Sequence, residues 1–396
     1  MKKVCFWFDS QSRKSNVWQN IDSEFLNFDL LVNMPFNYEI KFRNKDEVDT
    51  RDLNFYLIEL RYQNLTTFKK FLKKTVTQFL KNNPSIVIMF YMPAEAGFLG
   101  AGEKPLFLIF DQMFSDLENQ KYLIYGALNV KQLTPTKFVD KVIGFDYFEY
   151  WTYRKLNSIP VKNTNPSRNF LCLNRRLTDS RIALLALLYK KNLYNTNYVS
   201  NLNFLPKQFK HLSKEDLYIR AKEILFDADK KFVNKILEDP PLILDYDPST
   251  LTSEIYPLEG TEQYYEKTYF SLVTETCIDR LFLTEKVYKC IARGHPFIVW
   301  GAPFLLDYLK SKGYETYSSV FDESYDIEID DQKRLYKIIE SVEKFISLPS
   351  NEKAYKHRIL QRIAEYNRTL FLERAEYNYK KQWQKTIEKI SNDQKN

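Results

Sequence analysis

The residues with the most specific chemical purpose are Lys286 and three arginines, Arg175, Arg176 and Arg181. Lys286 follows Thr284-Glu285 at the start of a helical pattern that puts Val287, Tyr288, Ile291 and Ala292 on one face. Gly294 stops that pattern, and His295-Pro296 leads into the apolar run Phe297 to Trp300. The first turn of a helix already carries partial positive charge. A lysine there is unfavourable unless an anion lies between it and the backbone N–H groups, so Lys286 is read as half of a phosphate site. The arginines fall between the apolar run Phe170 to Leu173 and a helical pattern from Ile182 to Lys190. In open α/β sheets, ligands bind outside the carboxyl ends of the strands. If the strands feeding these two loops are neighbours, guanidinium forks, an ammonium and two helix N-termini converge, a set able to hold a diphosphate. Without such a ligand, Arg175 and Arg176 form an ordinary solvated loop.

Positioning these groups requires a strand before each loop and a helix after it, and the pattern supplies both. Tyr269 to Val273 is an apolar, β-rich run, and with the helix from Thr284 and the strand Phe297 to Trp300 it makes a β-loop-α-β unit. Asn174 to Arg181 reads as a loop, with Asp179 or Ser180 capping the helix that follows. Further helices are expected at Ser213 to Phe226, Ala228 to Leu237, Phe304 to Lys312, Asp331 to Ser347 and Asn351 to Lys389, with a strand near Glu315 to Ser319. In the final helix Tyr379, Trp383, Ile387 and Ile390 share a face. The amino-terminal half alternates in the same way. Strands are expected at 4–8, 55–60, 86–91 and 122–125, a helix at 66–81, and extended chain from Val142 to Phe148, which implies a mostly parallel sheet. The stretch 157–168, rich in Asn and Pro, reads as a linker. The expected division is 1–156, linker 157–168, 169–372 and a terminal helix 373–396.

A transfer reaction at a diphosphate also needs a base. Glu95 follows the strand 86–91 directly, in Tyr91-Met-Pro-Ala-Glu-Ala-Gly97, where a loop carboxylate could take a proton from an attacking hydroxyl. Glu275 is second in line, read as facing the donor. Asp245-Tyr-Asp247 has the spacing of a metal-binding pair, yet its place between prolines favours a turn. Cys5, Cys172, Cys277 and Cys290 show no CxxC spacing, and His211, His295 and His357 stand apart, so no zinc site is expected. His295 is read as a structural loop residue near the site.

With 396 residues the chain is long enough for two domains. Its 58 Lys and Arg against 51 Asp and Glu give +7, which suits an anionic small ligand and falls short of a nucleic-acid-binding signature. Only nine glycines argue against a glycine-rich dinucleotide loop. No apolar run approaches a membrane span, and the basic start has too short an apolar stretch for a signal segment. The expectation is a soluble cytoplasmic protein with reduced thiols, in a host's cytoplasm if the chain is viral.

The stretch from Phe170 to Asp326 also resembles a known family. The order strand, Thr274-Glu275-Thr276, Thr284-Glu285-Lys286, helix, Gly294-His295-Pro296, strand, Trp300-Gly301-Ala302-Pro303 is similar to the donor-binding signature of the alpha-1,3-fucosyltransferases. Related viral and bacterial glycosyltransferases of the GT-B type share it. The family usually has Phe-Glu-Asn where this chain has Thr274-Glu275-Thr276, which bears on the donor sugar. The resemblance implies an α/β fold of two Rossmann-like domains facing a cleft, with a final helix crossing back to the first domain. It implies that Arg181 and Lys286 hold the donor phosphates, that Glu285 grips the ribose hydroxyls, and that the base sits on a loop comparable to that of Glu95. The function implied is inverting, metal-independent transfer of a sugar from a nucleotide-diphosphate donor, GDP-fucose foremost, to a glycan or other hydroxyl acceptor, with no further cofactor. Two alternatives stand beside it: a degenerate, non-catalytic module that binds glycans or nucleotides, and a phage-type transferase acting on DNA bases.

Overall fold

The computed structural model describes residues 3–8, 38–42, 46–59, 77–92, 118–126, 128, 141–155, 166–204, 213–238 and 261–394. The chain divides into two units, Met1–Tyr150 with Glu376–Asn396, and Trp151–Ala375.

The first unit is built on strands β1 (Val4–Phe8), β2 (Tyr38–Phe42), β3 (Leu53–Glu59), β4 (Val87–Met92), β5 (Lys121–Tyr125) and β6 (Val142–Gly144). They form one sheet in the order β2-β1-β3-β4-β5-β6, and each pairing is parallel. Consecutive residues such as Phe6 and Trp7, or Val87, Ile88 and Met89, are fully buried. Both sheet faces are therefore covered, as crossover connections require, and that is why these strands read as unbroken apolar runs. Trp7 meets its indole N–H requirement by donating to Asn54 Oδ1 at 2.8 Å. Helix α1 (Thr77–Asn82) precedes β4, and α2 (Tyr147–Lys155) leads out of the unit. The extended reading of Val142 to Phe148 is corrected: pairing stops at Gly144, and Asp146 donates its N–H to Gln382 before the helix begins.

The second unit runs β7 (Arg168–Arg176), α3 (Asp179–Lys190), β8 (Tyr198–Phe204), α4 (Lys214–Ile224), α5 (Lys230–Glu238), α6 (Glu262–Glu266), β9 (Thr268–Thr274), α7 (Glu285–Arg293), β10 (Phe297–Trp300), α8 (Leu305–Ser311), α9 (Asp331–Ile346) and α10 (Ser350–Asp393). Its four-stranded sheet has the order β10-β9-β7-β8, again all parallel. The first four strands of each unit thus share one order: second, first, third, fourth. In the second unit the chain steps from β7 outward to β8, then returns past β7 to β9 and continues the other way to β10. Right-handed crossovers then carry α3 and α7 to opposite faces. The gap between the carboxyl ends of β7 and β9 is a topological switch point.

Two local expectations change here. Asn174 to Arg181 is not one loop, because β7 continues to Arg176 through an irregular register against β8, and α3 opens at Asp179 with Thr178 as its N-cap. Glu315 to Ser319 forms no strand, because the Glu323 carboxylate accepts from Thr316 Oγ1 at 2.7 Å and from Tyr317 N at 2.6 Å, folding the segment into turns. Of the expected linker only 166–168 is described, and Arg168 already belongs to β7.

Helix α10 lends its last turns to the first unit. Trp383 is 1 % exposed, with its ring 5.2 Å from that of Phe145 and 6.4 Å from that of Phe6. Tyr379 stacks on Tyr150 at 4.2 Å. At its end, Asp393 accepts from Tyr122 Oη at 2.7 Å and from Lys141 Nζ at 3.2 Å. No helix among the described residues is long and apolar enough to cross a membrane.

Candidate functional site

The switch point of the second unit gathers most of the residues singled out by type and spacing. Helix α7 follows β9 and starts at an N-cap, Thr284, whose Oγ1 accepts from Lys286 N at 3.4 Å. Val287, Tyr288, Ile291 and Ala292 are buried, which fixes the rotation of the helix. Gly294 ends it in the left-handed conformation, φ 65°, where a side chain would be strained. Lys286 is therefore held at the second helical position. Its Nζ donates to Thr284 Oγ1 at 2.9 Å, Glu285 Oε1 at 3.0 Å and Thr276 Oγ1 at 3.2 Å, while its side chain stays 23 % exposed.

The two glutamates of this corner differ in charge behaviour. Burial pushes the Glu285 carboxyl up, but Lys286, Lys289 and its hydrogen bonds outweigh burial and the net shift is down. Glu275 is fully buried, and burial prevails over Lys286 and Thr284 to raise it. The expectation that Glu275 faces the donor is corrected. Its Oε1 accepts from Thr284 N at 3.0 Å and its Oε2 accepts from Thr284 Oγ1 at 2.5 Å, so it turns inward and caps α7.

On the β7 side, Arg181 occupies the third position of α3 and is 4 % exposed, not open to solvent as its loop reading implied. It lies beside Cys172, whose thiol burial pushes up to about 12 while Arg181 pulls the other way. Arg175 and Arg176 are the last two residues of β7. Continuing the parallel register of Leu171 with Ser271 by three residues sets Asn174 level with Thr274, and Thr274 pairs with Trp300. Asn174 Oδ1, Thr274 Oγ1 and Trp300 Nε1 are buried along this row without a hydrogen-bond partner among the described residues. Such atoms are rare in folded proteins and mark a polar surface at the strand ends.

Two arginines escaped the sequence reading. Arg280, 6 % exposed, lies in the loop between β9 and α7, pairs with Asp279 and offsets the burial that pushes Cys277 up to about 12. Its one legible sign was a basic residue on a switch-point loop. Arg334 of α9 is 1 % exposed and donates to Ile278 O at 2.8 Å and Glu328 O at 2.7 Å, tying that loop down. Nothing local in the sequence marks it.

Other expected residues stand elsewhere. Glu95 and the pair Asp245 and Asp247 lie outside the described residues. His295 is structural but remote: it is held by Ser271 Oγ at 3.1 Å and Thr268 O at 3.2 Å, at the amino end of β9. Among the described residues no group of three His, Cys, Asp or Glu could hold a metal ion. The four cysteines are free.

No family model matches the chain, and no curated protein matches it. Among solved structures it is similar to an alpha1,3-fucosyltransferase at 12 % identity, over 91 % of this chain and 81 % of the other, with a TM-score of 0.37. It is likewise similar to T4 phage BGT in complex with UDP and Mn2+, at 12 % identity over 98 % and 99 % of the two chains, with a TM-score of 0.42.

Proposed function

We propose that this chain is a glycosyltransferase that moves a sugar from a nucleotide-diphosphate donor to a hydroxyl acceptor, with inversion and without a metal. The observation that carries the reading is the switch point between β7 and β9, where each strand feeds a helix with a cation in its first turn, Arg181 on α3 and Lys286 on α7. Helix N-termini and fixed cations at such a crevice favour a diphosphate. Arg175 and Arg176 at the end of β7 add positive charge, Thr284 anchors Lys286, and Glu285, whose carboxylate accepts from Lys286 Nζ, is the proposed partner of the ribose hydroxyls.

In the reaction the acceptor oxygen bonds to the anomeric carbon, the bond from that carbon to the phosphate oxygen breaks, and the acceptor proton passes to a carboxylate. Glu95, after β4, is the proposed base. Negative charge grows on the leaving diphosphate, and cations already in place stabilise it without reorganising. Fucose carried by GDP is the proposed donor, from the family resemblance of the 274–286 segment, and a glycan the proposed acceptor.

The test is calorimetric titration with GDP-fucose and UDP-glucose in the presence of EDTA. Lys286→Ala should weaken binding by about tenfold or more, the usual consequence of removing a charged partner from a phosphate, measured well below a melting temperature that falls because the buried Glu285 loses its cation. Arg181 is buried, so Arg181→Lys is its gentler probe. A Lys286→Ala protein that binds like the parent, or binding that requires Mn2+ or Mg2+, would overturn the site. Tight binding with no transfer to any acceptor leaves a nucleotide-sugar-binding module instead.

A further inference from the structure

We propose that Glu275 is a positioning residue that, through the Thr284 hydroxyl, fixes the direction of the Lys286 ammonium and so sets the affinity for a diphosphate. The inference deepens the donor-site reading above and rests on it for the ligand class. A threonine hydroxyl has one proton and two acceptor lone pairs. The Glu275 carboxylate can only accept, and its Oε2 lies 2.5 Å from Thr284 Oγ1, so the hydroxyl proton is committed there. The lone pairs of Thr284 Oγ1 then face Lys286 N and Lys286 Nζ, at 3.4 and 2.9 Å. The other carboxylate oxygen holds Thr284 N at 3.0 Å, which keeps the hydroxyl in register with the helix start.

The Lys286 ammonium has three N–H donors and three partners, and these are not equivalent. The bonds to Thr284 and Glu285 are part-buried, while the bond to Thr276 lies on the exposed side. An arriving phosphate oxygen displaces Thr276 and leaves the two inner anchors intact. Thr284 is an anchor only while Glu275 takes its proton. Burial raises the Glu275 carboxyl, and Lys286 and the Thr284 hydrogen bonds oppose that rise.

Glu275→Gln separates positioning from structure. With the Gln oxygen accepting from Thr284 N, the cap is preserved, but its NH2 then donates to Thr284 Oγ1 in competition with Lys286. It also gives up the weaker bond that Thr276 N makes to Glu275 Oε2 at 3.3 Å. Affinity for GDP-fucose should fall about tenfold, the scale of one charge-assisted hydrogen bond, without a lower melting temperature. Thr284→Val should lose as much, Thr284→Ser should recover it, and the double variant Glu275→Gln/Thr284→Val should be no worse than either single one. A second readout needs no donor: acetylation of Lys286 by acetic anhydride, followed by peptide mass spectrometry, should be faster in Glu275→Gln than in the parent, with other lysines unchanged. If the parent binds no nucleotide sugar, the donor reading fails while the labelling still decides the positioning. Parental labelling of Lys286 in Glu275→Gln, or a melting loss at parental affinity, would overturn it.

Discussion

His295 sets an acid limit on the second unit. It is fully buried, its Nε2–H donates to Thr268 O, and Ser271 Oγ lies within bonding distance of Nδ1. Burial first, then the fields of His357 and Arg293, lower it from 6.5 to about 4, against the carbonyl of Thr268 that favours the charged form. The unfolded chain therefore takes up a proton between those values that the native protein refuses. The stability contribution is complete above the unfolded value of 6.5 and is lost as pH falls toward 4, amounting to about 3 kcal/mol over the full interval. Denaturant melts at pH 7 and pH 5 should show a steeper acid loss for the parent than for His295→Gln, whatever the absolute stability of the variant. Equal slopes would mean that the buried imidazole accepts its proton in place. Glu275 is the complementary case at this scale: spacing marked it as chemical, while its contact with Thr284, nine residues along the chain, turns it inward.

At the scale of elements, legibility followed locality. The unit from β9 to β10 was readable because every boundary carries its own mark: a β-rich run, an N-cap threonine, an apolar face, a left-handed glycine. The terminal helix was readable for the same reason, since Tyr379, Trp383, Ile387 and Ile390 are all buried on one face. Missed elements lacked such marks. β8 holds two asparagines in Tyr198–Phe204, residues depleted in strands, and is a strand because β7 pairs with it. The end of β7 looked like a loop because Asn174, Arg175 and Arg176 are polar, and only the sheet makes them extended. The last turns of α10 give an element-scale prediction. Trp383→Ala removes a ring packed on Phe6, Phe145 and Tyr379, a change that typically costs about 3–5 kcal/mol. Hydrogen exchange should rise in β1 and β6 of the first unit, while the peptides of β7 and β9 keep their protection. Uniform loss of protection would show that the two units unfold as one.

At the scale of the molecule, two units share the strand order second, first, third, fourth, though the sequence shows no repeat between them. The common order gives each a switch point, between β1 and β3 in the first and between β7 and β9 in the second, and the cations singled out from the sequence belong to the second. The proposed division of labour follows: donor phosphates on the second unit, the base from the first. Glu95→Gln tests it. Gln keeps the size of the side chain but cannot take a proton, so kcat should drop about 10²- to 10⁴-fold, the usual loss for a general base. KM for the donor should change little, because proton removal matters only in the transition state and the proposed phosphate ligands, Arg181 and Lys286, lie in the other unit. The parent's rate should fall on the acid side as the carboxylate is protonated, and that limb should vanish in the variant. A Glu95→Gln enzyme with near-parental kcat would remove Glu95 from the mechanism. Glu275 could not replace it, because its carboxylate is enclosed beneath Thr284 with no exposed surface, and another carboxylate would have to be sought by the same kcat test.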